Sequence, residues 1–163
     1  MKWFNNPKTL EELKKQYKHL AIKHHPDLGG NTADMQEINA EYDRLFEKLK
    51  NTHSTADGKT YTAKADTTET ATDFKDIINK LIHFNGIHIE ICGSWIWITG
   101  CTIDYKDELK QMQFRWSKSK KAWYYHRDEY RKTTKKTYSL DEIRDLYGSQ
   151  TVNTTPQLKL AIV

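Results

Sequence analysis

The feature that most limits the fold is a hard break between two helical patterns, in KHLAIKHHPDLGGN, residues 18–31. Pro26 has no N–H and its ring clashes with the preceding turn, so a helix arriving from the N-terminal side must stop at or before His25. Gly29 and Gly30 then permit a tight reversal. Upstream, LEELKKQYKHLAIKHH places Leu13, Tyr17, Leu20, Ala21 and His24 at spacings of three and four, hence on one face. Thr9 reads as its N-cap, and Glu12 three residues on completes a capping box. Lys14, Lys15, Lys18 and Lys23 fall on what reads as the outer face. Downstream, DMQEINAEYDRLFEKLK (34–50) carries a second stripe, Met35, Ile38, Tyr42, Leu45, Phe46 and Leu49, capped by Asn31 or Thr32. Two stripes joined by a reversal predict an antiparallel helical hairpin. Trp3 and Phe4 cover one end of it, and His25-Pro26-Asp27 stands at an exposed tip.

These residues carry a resemblance. YKHLAIKHHPD, then a reversal, then MQEINAEYDRL, resembles the J-domain of DnaJ-type co-chaperones over residues 9–50, and the compact HPDLGGN loop is similar to J-domains of phage, viral and mobile-element proteins. The resemblance implies docking on an Hsp70-type ATPase, stimulation of its ATP hydrolysis, and no catalysis by this chain itself. It implies His25, Pro26 and Asp27 as the trigger and Lys14, Lys18 and Lys23 as the basic docking face. On chemistry alone, a rigid turn can present a carboxylate to a cationic group, and a row of lysines steers toward an acidic surface. The bland reading is a helix terminator with Asp27 in an Asx turn and solvated lysines. No Gly/Phe-rich or cysteine-rich module follows, which implies recruitment of Hsp70 to one particular task.

Residues 51–72, NTHSTADGKTYTAKADTTETAT, are Thr-rich, lack large aliphatic side chains and show no period. They read as a linker between a unit at 1–50 and a second at 73–163. In the second unit, Phe74, Ile77, Ile78, Leu81 and Ile82 mark a helix that Gly86 can end. IHIEICGSWIWIT reads as a hairpin turning at Gly93-Ser94, with Ile91 facing Ile96 and Ile89 facing Ile98. The isoleucines then share a face toward the helix, and Trp95 and Trp97 share the other with His88, Glu90 and Cys92. Asp104 can start a short helix, FRWSKSKKAWYYH forms a second hairpin, and Ser139 with Glu142 caps a last helix. LKLAIV at the end reads as a further strand. The fold class is α+β: a helical hairpin, then a small domain ordered helix, two strands, helix, two strands, helix, with a four-stranded antiparallel sheet. The stretch GCTIDYKDELKQMQFRWSKSKKAWYY also resembles a small module of phage and plasmid proteins, which bears on fold more than on activity.

The net charge of +4 is too small to identify a polyanion partner, so its distribution matters more. Between Arg115 and Lys136 there are nine Lys/Arg and only Asp128 and Glu129 as acids, interleaved with five aromatic residues. Arg115, Trp116, Lys118, Lys120, Lys121, Trp123, Tyr125 and Arg127 are therefore candidates for DNA or RNA, or for a client protein, with cations on phosphates and rings on bases. The alternative is that Trp116 and Trp123 are cross-strand core residues above a lysine turn. Under the nucleic-acid reading the helical hairpin is only a scaffold for an adaptor.

Cys92 and Cys101 lack CxxC partners and read as free thiols, and the spacing of His83, His88, Cys92 and Cys101 fits no standard zinc pattern. No nucleophile, base and orienting group assemble, so no enzyme, metal or cofactor is expected. With no apolar run of membrane length and no leader pattern, the expectation is a soluble cytoplasmic protein without a membrane partner.

Overall fold

Helix α1 (Leu10–His24) starts where Thr9 Oγ1 accepts the N–H of Glu12 at 3.3 Å. The Glu12 carboxylate reaches back one residue further than a capping box requires, to the N–H of Lys8. After a 3-10 turn at Pro26–Leu28, α2 (Thr32–Leu49) begins under the Asn31 side chain, which accepts from Ala33 N–H. The two helices pack antiparallel. Tyr17 lies 4.5 Å, ring to ring, from Tyr42, and its hydroxyl donates to Asn39. Phe4 is buried against Tyr42, while Trp3 packs edge-on to His24 and donates its indole N–H to Glu37.

This computed structural model describes residues 1–127 and 135–148 and the backbone of 152–153. The stretch read as a linker contains a two-stranded ribbon, β1 (Thr52–Ser54) with β2 (Thr60–Thr62). What holds it is Glu11 on α1, which meets His53 Nδ1 at 2.6 Å and accepts the Ser54 N–H. Burial pushes the Glu11 carboxyl up, but those bonds outweigh it and leave it below the usual carboxylate range. Composition alone hid this contact, because the ribbon is fixed by one buried carboxylate rather than by an apolar face.

Helix α3 (Ala71–Leu81) has a full capping box between Thr70 and Asp73, and all five residues of its apolar stripe are buried. β3 (Ile87–Cys92) and β4 (Trp95–Gly100) pair with Ile89 opposite Ile98 and Ile91 opposite Ile96, the register expected from the pattern. A 3-10 turn at Ile103–Tyr105 leads into α4 (Lys106–Gln111), without a side-chain cap from Asp104. β5 (Arg115–Ser117) and β6 (Ala122–Tyr125) add the second hairpin, and α5 (Leu140–Tyr147) starts in the Ser139–Glu142 capping box. β7 (Val152–Asn153) pairs with β3, so the antiparallel sheet has five strands in the order β5-β6-β4-β3-β7, not four. The strand read at LKLAIV lies outside the described residues.

The sheet sits between two layers. Ile87, Ile89, Ile91, Ile96 and Ile98 face α1, α2 and α3 in one continuous core. On the other side Trp97 and Cys92 pack with Leu140 of α5, with Trp95, Tyr124 and Ile143 beside them. Phe74 joins the halves: it is fully buried, 5.9 Å from the Tyr17 ring and 6.1 Å from that of Tyr42. The units read as 1–50 and 73–163 thus share one interior. No helix among the described residues is long and apolar enough to cross a membrane.

Candidate functional site

The tip between α1 and α2 is built from backbone bonds. His25 N–H still donates to Ala21 O, and the His25 carbonyl then accepts from both Leu28 and Gly30 at 3.0 and 2.9 Å. Gly29 N–H donates to Pro26 O, with Gly29 in the left-handed region at φ 91°. A β-carbon on Gly30 would lie 2.1 Å from the carbonyl carbon and oxygen of His24, so only glycine lets the chain pass this close. Pro26 fixes its own φ, and the corner has little freedom left.

Side chains complete it. The Asp27 N–H donates to His25 Nδ1 at 3.2 Å, so that nitrogen carries a lone pair and the imidazole proton sits on Nε2. Burial is the main cause that holds His25 below the ordinary histidine range, against the opposing pull of Asp27. Its side chain is only 13% exposed, whereas that of Asp27 is 58% exposed. Pro26 and Leu28 are exposed as well. One neighbour comes from the other half of the chain: His83, in the turn after α3, places Nε2 at 3.4 Å from Asp27 Oδ2, with its ring perpendicular to His25 at 6.1 Å.

The lysines expected to flank this corner divide. Lys23 is exposed. Lys14 and Lys18 are not on an outer face. Lys14 is buried with its Nζ at 2.7 and 2.6 Å from the two oxygens of Glu69 and 5.1 Å from the Phe74 ring centre. Lys18 is fully buried and donates to the Ile89 carbonyl at 2.9 Å. Desolvation lowers Lys18 to about 8, with Glu90 opposing the shift. The half-buried Lys15 donates to the carbonyls of Tyr147 and Gly148 at the end of α5. The reason is that α1 is covered on both sides: its apolar stripe meets α2, and its lysine side meets the second half of the chain. Long methylene stems let lysines bury there as long as each ammonium finds an oxygen.

The β5–β6 hairpin also divides. Arg115, Lys118, Lys121 and Arg127 are exposed, and so is Trp116 at 45%. Lys120 is half-buried with Nζ 5.9 Å from the Trp97 ring centre. Trp123 and Tyr125, named as candidate stacking rings, are core residues at 7% exposure each: their register opposite Ile98 and Ile96 turns them inward. Residues 128–134 of the basic segment lie outside the described residues. Trp95 and Trp97 are covered from within the chain, by Leu140 and Ile143.

Cys92 lies at the turn end of β3, and Cys101 follows the opposite end of β4. Five residues of strand put roughly 17 Å between those ends, too far for a bridge. Among the described residues, no three His, Cys, Asp or Glu side chains converge as metal ligands.

His83 is the site residue that periodicity could not supply, because only the packing of α3 on the hairpin brings it to the tip. No protein-family model, curated protein or solved structure matches this chain.

Proposed function

We propose that this protein is a co-chaperone of the J-domain type, which docks on an Hsp70-type ATPase through its His25-Pro26-Asp27 corner and stimulates ATP hydrolysis there. The observation that carries this reading is the construction of the corner: an exposed carboxylate and proline held by four backbone bonds at the end of a packed hairpin. Such a turn presents one anionic group at fixed geometry, which suits a cationic partner site. Lys23 remains available for steering, whereas Lys14 and Lys18 serve the interior, so docking falls on the tripeptide and Lys23. The second half of the chain directs this activity to a particular protein or nucleoprotein in the cytoplasm, in the manner of phage and mobile-element proteins that borrow a host chaperone. Hydrolysis occurs in the partner, and this chain needs no cofactor.

The test is single-turnover ATP hydrolysis by a bacterial Hsp70, with and without the protein. Wild type should accelerate it, and His25→Gln should lose at least about 90% of that effect, roughly a tenfold change, or 1.4 kcal/mol. Far-UV circular dichroism should stay unchanged. Equal acceleration by both proteins defeats the reading.

A second reading is favoured by Trp116. This exposed ring stands beside Arg115, Lys118 and Lys121, in a stretch, residues 112–127, with five cations and no acid. It suits single-stranded nucleic acid, with phosphates on the cations and a base on the indole. Binding to a labelled single strand should weaken steeply between 50 and 200 mM salt. Replacing Lys118 and Lys121 together should lower the salt slope by about one to two. An absence of binding even at low salt removes this role and leaves the hairpin a structural edge.

A further inference from the structure

His83 stands where a docking partner's cation would have to go. Within 4 Å of the Asp27 carboxylate, the basic side chains among the described residues are His25, at 3.7 Å, and His83, at 3.4 Å. His25 cannot serve as the counter-ion in this geometry. Its Nδ1, the nitrogen nearest the carboxylate, is already accepting from the Asp27 N–H. His83 faces Asp27 with Nε2, carries no such bond to this turn, and keeps about half of its side-chain surface in solvent. It comes from the turn after α3, not from the hairpin, so the corner is lined by both halves of the chain.

We infer that His83 is an internal occupant of the docking corner: its imidazole takes the place on Asp27 that a cationic group of the partner must take, and docking displaces it. This rests on the co-chaperone reading and names what controls the strength of that contact. Both groups are more than half exposed, so the contact is weak and readily exchanged. An occupant held by several kcal/mol would block the corner, whereas one held weakly tunes it. Among the described residues, Asp27 and His25 face His83, and Lys80 lies one turn earlier on α3.

Two substitutions of opposite effect separate this role from a structural one. The readout is the concentration of this protein that half-maximally accelerates single-turnover hydrolysis by a bacterial Hsp70. His83→Ala should lower that concentration about two- to fivefold. His83→Lys, a fixed cation, should raise it. No acceleration by the wild-type chain overturns the co-chaperone reading and this inference with it. Acceleration by wild type, together with a His83→Ala protein that docks no more tightly, overturns the role of His83 alone.

Discussion

Phe74→Ala should cost about 3–5 kcal/mol of folding stability and should destabilise the helical hairpin and the sheet together. Phe74 has no exposed surface and touches Tyr17 and Tyr42 from one side while belonging to the helix that covers the isoleucine face. Truncating it removes the transfer energy of a ring and leaves a cavity that two tyrosines and a sheet cannot close without moving. A loss of that size is a large fraction of the 5–15 kcal/mol typical of a small protein. Urea unfolding read by far-UV circular dichroism and by tryptophan fluorescence should give one coincident transition in wild type. That transition should move to lower urea for both probes in the variant. A variant in which the fluorescence transition moves while the helical one stays would mean two independent cores, contrary to the packing described.

Lys18→Met should change how stability depends on pH. The buried ammonium titrates at about 8 in the folded chain and at its ordinary 10.5 when unfolded. Between those values the unfolded chain holds one more proton than the folded one, so wild-type stability rises as pH goes from about 8 to 10.5. The difference integrates to about 3 kcal/mol. Methionine has no proton to lose, so the variant should lack this rise. Near pH 7 the variant escapes the desolvation of a charge but leaves the Ile89 carbonyl without its Lys18 donor, and these effects oppose each other. The slope between pH 8 and 10 is therefore the diagnostic quantity. Above about pH 10 both proteins should lose stability, because burial raises Tyr17 and Tyr42 and holds them neutral in the fold. Urea midpoints at pH 7.5, 9 and 10 would measure it, and parallel lines for the two proteins would show that Lys18 is solvated.

The contrast between Phe74 and Lys18 shows what the sequence could reveal. Phe74 was legible because apolar residues at helical spacing leave few choices of face. The same holds for the isoleucine register across Gly93-Ser94, where one short turn and a period of two leave a single pairing. The caps at Thr9, Thr70 and Ser139 were set by local chemistry, and two of these three could be read from sequence in advance. Charge pattern assigns Lys14 and Lys18 to solvent, whereas the oxygens that admit them to the interior, from Glu69 and Ile89, lie far along the chain. The contact of Glu11 with His53 is equally remote in sequence. Trp123 and Tyr125 look identical in pattern to Trp116, and only their position opposite β4, one strand in from the edge, buries them. The tripeptide was legible as a corner; its neighbour His83 was not.

The bonds that close the turn after α1 have a thermodynamic consequence for whatever meets it. Ordering a free loop on contact costs on the order of 1–2 kcal/mol per residue in lost backbone freedom. Residues 25–30 have already surrendered that freedom while the chain folds, so an encounter spends almost none of its contact energy on stiffening them. A small footprint can then be sufficient, and one built from few contacts is also quick to release. Brief, repeated engagement suits a corner that has to strike many times rather than hold on once.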